Sequence, residues 1–328
     1  MRYPRKSPYL IYKRSAKDEY RIENYLYSES YRLNNKTVAF LKCLDGRHNP
    51  YKLLPGHSKA YVRKTIRELK ACHLLAPKKE MLVHGIGSCM YPLIYCYPGR
   101  LQKLLARIYN FLLMVLFIPV FILGLCYGTQ STFHVYAQSK VELFAAVILG
   151  TVIGVVMHEL SHTCAGLAYG AHIFEIGIGT QFFIPMGYVL MDDSNVRNRL
   201  QKIQINAAGI EMNFLLYGVF MLLIPSGFVS PFIIKACSLV NLVMAILNAL
   251  PLSGLDGMKI ISTIFKKEDL LKHAKRIIRN RKKRGRKPER SVGTIAIVAA
   301  SYGLVGFQVV LPLLLIYEGY SLVRLILL

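Results

Sequence analysis

The sequence predicts a mainly α-helical, polytopic membrane protein: a bundle of about five spans with a short re-entrant or β segment, preceded by a small α+β domain. Three observations predict it. Of the 328 residues 53% are hydrophobic, and they gather in runs too long and uniform for a soluble core. Positive charge flanks those runs unevenly: 266–290 carries thirteen Lys or Arg against three acids, whereas 128–140 carries one cation. The first thirty residues are polar and lack the apolar core of a signal peptide, so the N-terminus is expected in the cytosol.

A net charge of +24 raises the question of nucleic acid. The cations sit beside hydrophobic segments, as membrane topology requires, and nucleic acid is not the favoured partner. Seven cysteines form no CxxC pair, which fits reduced thiols and a cytosolic soluble part.

Taken in order, residues 1–79 read as a soluble domain. Segments 9–14 and 19–32 are rich in Tyr, Ile and Leu and predict two or three short strands. Asn35 is placed to cap a helix through Leu44, which Asp45-Gly46 would end. Ser58 is placed to cap another, with Val62, Ile66 and Leu69 on one face and Arg63, Lys64, Arg67 and Lys70 on the other. This is a strand-then-helix order of winged-helix size. Residues 80–107 carry Gly85, Gly87, Pro92, Pro98 and Gly99, and are expected to form a linker along the membrane surface.

The remainder, 108–328, is expected to be the membrane domain. Spans are predicted at 110–127, 141–169, 203–224, 232–250 and 292–317, with a basic cytosolic loop over 259–290. Segments 175–179 and 182–191 are apolar, glycine-marked and too short to span, so they predict strands or re-entrant segments. Such an edge can hold a peptide extended beside it.

Chemistry concentrates in the second span. His158-Glu159-Leu160-Ser161-His162 is the zinc-binding HExxH pattern, with both imidazoles one helical turn apart on one face and Glu159 free to handle protons. Ionisable groups at membrane depth cost a few kcal/mol each, which weighs against two idle core histidines. Starting from residue 143, His158 falls ~22 Å into a ~30 Å hydrocarbon layer. Gly150, Gly154, Gly166 and Gly170 share the histidines' row at spacing four and allow close helix approach. Within the third span, Asn206 and Asn213 fit interhelical hydrogen bonding, while the role of Glu211 stays open. After the fourth span, Pro251, Gly254 and Gly257 break the helix beside Asp256, which is thus the best third zinc ligand. A third histidine of metzincin type is absent, since Ala168 occupies that position, and Glu175 follows too closely on a strand-like segment to be a helix-borne ligand.

Two resemblances bear on these residues. His158-Glu159-xx-His162, the 206–213 stretch and Asn248-xx-Pro251-xxx-Leu255-Asp256-Gly257 together resemble the site-2 protease family of intramembrane zinc metalloproteases. That resemblance implies one catalytic zinc ion held by His158, His162 and Asp256, Glu159 as catalytic base, and Asn248 near the substrate or developing oxyanion. The sequence departs from the family at Gly254, where many members have a second proline, and at Ile210, where a proline often follows Ala-Gly. Residues 20–33, Thr37-Val38-Ala39-Phe40-Leu41 and Leu44-Asp45-Gly46 resemble PqqD-like domains, small winged-helix modules that bind the leader of a precursor peptide. The combined expectation is a zinc metalloendopeptidase of a bacterial cell membrane that matures a ribosomally made precursor peptide. The alternatives are a non-catalytic peptide receptor or immunity factor, and a membrane-tethered regulator whose N-terminal domain reads DNA.

Overall fold

A computed structural model describes residues 3–16, 18–53, 56–77, 82–85, 88–130, 140–181, 184–226, 230–252 and 254–265, and the separate positions 270, 274–276, 278, 279 and 303. The chain divides into two compact units, Met1–Gly99 with Ile173–Asp192, and Arg100–His172 with Asp193–Leu328.

The first unit begins with an antiparallel meander of β1 (Leu10–Ala16), β2 (Glu19–Asn24) and β3 (Glu29–Asn34). These three match the two or three short strands expected over 9–14 and 19–32; between β2 and β3, Asn24 turns the chain by accepting the Leu26 N–H at 3.1 Å, and Ser28 adopts a left-handed φ of 54°. Three helices follow: α1 (Asn35–Cys43), the short α2 (Pro50–Leu53) and α3 (Lys59–Ala71). The cap of α1 is Asn34, one residue earlier than expected. Its side chain accepts the Thr37 N–H at 2.8 Å, while Asn35 donates to Asp18 at 3.0 Å instead. Asp45 ends the segment by accepting the Arg47 and His48 N–H groups, and Gly46 supplies φ 80°. Ser58 caps α3 through the Tyr61 N–H. Leu10, Ile22, Leu41, Leu44, Val62 and Leu74 form the core, with Ile66 packed at its margin.

A second sheet runs β4 (Leu82–Gly85), β5 (Ser88–Tyr95), β6 (His172–Gln181) and β7 (Ile184–Asp192), in that spatial order. The linker expected over 80–107 is therefore corrected: much of it is strand, and the helix that follows already begins at Arg100. The ladder of β5 with β6 is antiparallel and slips between Pro92 and Ile94, where proline has no N–H to give. Gly177 and Gly179 let the strands approach, since a side chain there would strike the Tyr91 and Cys89 carbonyls. The expectation of strands or re-entrant segments over 175–191 resolves into strands, β6 and β7.

In the second unit, α4 (Arg100–Gln130), α5 (Lys140–Tyr169), α6 (Arg199–Leu223) and α7 (Pro231–Ala249) are followed by the short α8 (Asp256–Ile264). The first four, with α6 continued to Ser226 by a 3₁₀ turn, are long and apolar enough to cross a membrane. They contain the first three spans expected between 110 and 250, and the fourth, 232–250, except for its last residue, where Leu250 is extended. The fifth, at 292–317, lies outside the described residues. Helix α6 packs against α4, α5, α7 and α8 and is the most enclosed of the candidate spans. Close crossings rely on absent side chains: Gly218 lies against the Val120 carbonyl of α4, and a Cβ at Gly150 would come within 2.9 Å of the Cys237 Cα on α7.

Candidate metal centre

Two elements bring three side chains to one point. Helix α5 presents His158 and His162 from successive turns, and the first residue of α8 presents Asp256. The turn before α8 depends on Gly254, whose φ of 94° is closed to proline, so the departure from the family's second proline has a backbone reason. Gly257 then lies against the Ala249 carbonyl at the end of α7, where any Cβ would collide, and this close fit seats the start of α8.

Both imidazole Nε2 atoms lie 3.0 Å from Asp256 Oδ2 and 3.1 Å from each other. All three residues are buried, with 4–6% of their surface exposed. The opposite ring nitrogens define the protonation. His162 Nδ1 lies 2.7 Å from the Ile205 carbonyl, which only accepts, and His158 Nδ1 lies 3.1 Å from Asn213 Oδ1. Neutral imidazoles therefore carry their protons on Nδ1 and turn bare Nε2 lone pairs toward each other and toward a carboxylate oxygen. Three electron-rich atoms facing one another in a buried space repel unless a cation joins them. Tetrahedral zinc with bonds of about 2.0–2.2 Å separates its ligands by roughly 3.3–3.6 Å, a few tenths of an ångström more than the spacing seen. The donor set thus fits zinc.

The surroundings hold that donor set in place. Gly209 of α6 lies directly under the imidazoles, where an added Cβ would come within 2.5 Å of His158 and His162. Lys259, one turn along α8, donates to the other Asp256 oxygen at 3.0 Å and leaves Oδ2 for the cluster. Glu159 is half-buried next to His158, with its charge within electrostatic reach of His162.

Other residues singled out in the sequence lie elsewhere. The Asn248 amide donates to the Met244 carbonyl of its own helix at 3.1 Å, and no described hydrogen bond brings it to the cluster. Asn206 likewise bonds within its helix, to the Lys202 carbonyl. Glu211 accepts from Gln204 at 2.6 Å. Glu175 is sealed in the first unit, accepting from the Tyr9 and Tyr188 hydroxyls. Burial and that carboxylate push both phenols well above their ordinary range. Sequence reasoning identified Asn213 as an interhelical bonding residue without its partner, and passed over Ile205, Gly209 and Lys259. Only Lys259 left a local signal, three residues from Asp256 on a helix face.

Residues 144–230 match the family model described as Peptidase family M50. The matched segment includes both histidines, Glu159, Gly209 and Asn213, and stops before Asp256. A Bacillus subtilis (strain 168) protein named "Putative peptide zinc metalloprotease protein YydH" is 24% identical over 135 residues, which cover 41% of this chain and 51% of that protein. The chain thus spans about half the length of the curated relative it matches. Over its central segment, from α5 into the end of α6, the chain is similar to the M50 peptidases.

Proposed function

We propose that this chain is an intramembrane zinc metalloendopeptidase of site-2 type that cleaves a membrane-associated precursor peptide during its maturation. The observation that carries the reading is the convergence of His158, His162 and Asp256, with bare nitrogen lone pairs facing a carboxylate and Glu159 alongside. A pure receptor has no need of a free base beside such a donor set. The M50 likeness of 144–230 supports the same reading.

In this mechanism His158, His162 and Asp256 hold the ion. Bound there, zinc supplies a Lewis acid and a water whose pKa falls to about 7. Ile205 and Asn213 fix the imidazole tautomers, and Lys259 orients the carboxylate. Glu159 accepts the proton of the attacking water and delivers it to the amide nitrogen that leaves as the peptide C–N bond breaks. Asn248, whose amide now donates to the Met244 carbonyl, would serve the developing oxyanion with that amide. The N-terminus lies in the cytosol of a bacterial cell, and residues 1–79 serve as the handle for the precursor's leader.

The test is incubation of the purified protein and its Glu159→Gln variant with candidate precursor peptides, read by mass spectrometry. The expected result is a defined cut by the unsubstituted protein, none by the variant, and equal zinc content in both. Undiminished cleavage by the variant refutes the assignment.

A further inference from the structure

The first unit carries a groove of about 1090 Å³ that the metal centre does not use. One wall is the polar face of α3, where Arg63, Arg67 and Lys70 are exposed, and Arg5 and His73 add to the same lining. No acid lines it. Of the α3 cations, Lys64 is the one with a described acidic partner, Glu68 at 4.0 Å, and Lys64 lies outside the groove. Ile66, Leu75 and Pro50 add apolar surface to the lining.

From this lining we infer that the groove binds an acidic, partly apolar peptide segment, with carboxylates on the α3 cations and apolar side chains over Ile66 and Leu75. The inference deepens the proposed role of residues 1–79 as a substrate handle and rests on that role for the identity of the peptide. Charge complementarity selects the ligand. Duplex DNA suits the surface poorly, because a helix that reads bases must protrude into the major groove, and here its cations line a concavity. Single strands need open aromatic faces for base stacking. Three of the four tyrosine rings of the lining are already engaged: Tyr27 stacks on His73 at 4.3 Å, Tyr95 meets Tyr9 edge-on at 6.0 Å, and Tyr51 packs on the domain core. An anionic bilayer presents a flat surface, which reaches the rim of a concavity and leaves its apolar lining unused.

The inference predicts that full-length protein in neutral detergent, carrying Glu159→Gln to prevent cleavage, binds a rhodamine-labelled peptide of repeated Glu-Leu-Glu-Phe units, measured by fluorescence anisotropy. A Lys-Leu-Lys-Phe control should not bind, and affinity should fall as salt rises. Arg63→Glu with Arg67→Glu should weaken binding by about tenfold or more, and the milder Arg63→Gln with Arg67→Gln by a smaller factor. Lys64→Glu, next to Arg63 on the same helix, should leave affinity within about twofold. Circular dichroism melting verifies that each variant folds. Equal loss in Lys64→Glu, absence of binding, or stronger binding to oligothymidine or phosphatidylglycerol vesicles than to the acidic peptide overturns the inference. Binding that depends on Arg63 and Arg67, with no cleavage by the unsubstituted protein, upholds the groove and removes the protease reading. Cleavage without such binding does the reverse.

Discussion

The domain built on α1 to α3 and the helical unit are patterned in opposite senses. In the former, Ile22, Leu41 and Val62 are sealed while Arg63, Lys64 and Arg67 face outward. In the latter, His158, Ser161, Asn213, Asn241 and Asp256 are sealed, while Val141, Phe111 and Ile148 face outward, Val141 with 77% of its surface exposed. Water rewards the first arrangement by expelling apolar surface. Lipid gives no such reward between helices, so the second unit coheres through close backbone contacts and buried polar pairs. The same substitution should therefore have very unequal consequences in the two units.

The largest expected effect tests the polar interior at its chemical centre. Glu159→Gln should lower the rate of peptide cleavage by about 10²–10⁴-fold or more without loss of bound zinc, measured by cleavage assay and metal analysis. Next comes the water-facing unit's core, where Leu41→Ala should destabilise that domain by about 2–5 kcal/mol, seen in denaturant melts as a shifted midpoint. Asn213→Ala removes the acceptor that holds His158 and should weaken zinc affinity by about 10–100-fold in competition with a chelator, while Asn213→Asp retains an acceptor and should recover part of it. Ser58→Ala should cost about 1 kcal/mol through the lost cap of α3. The smallest effect sharpens the contrast most: Leu149→Ala, on the outer face of α5, should change stability in detergent by less than about 1 kcal/mol, although it deletes the same atoms as Leu41→Ala.

What the sequence made legible follows the range of the forces involved. The helices containing 110–127 and 141–169 could be located because an apolar run of that length has one economical solution in lipid. His158 and His162 share a turn, so their juxtaposition is local geometry. Asp256 was legible through a helix break that set it apart, though its meeting with the histidines is a long-range event. Strand β5 was not legible: Pro92 and the neighbouring glycines read as loop, and the partner that makes it a strand, β6, begins some eighty residues later. The carbonyl of Ile205 could not have been found at all, since every residue has one and only packing selects which one meets an imidazole. The shift from Asn35 to Asn34 as cap of α1 is of another kind, two adjacent asparagines with equal propensity, decided by the reach of Asp18.

The four-stranded sheet has a consequence in time. Strands β4 and β5 are made first, then α4 and α5, and only then β6 and β7. At synthesis rates of roughly 5–20 residues per second, the first hairpin waits about 4–16 s for its partner. During that interval its β6-facing edge is open and two apolar helices are seeking the bilayer. Membrane insertion of α4 and α5 is thus scheduled ahead of sheet completion. A nascent chain that stalls between them keeps both histidines but not the sheet, the helix that fixes their tautomers, or the carboxylate that completes the site.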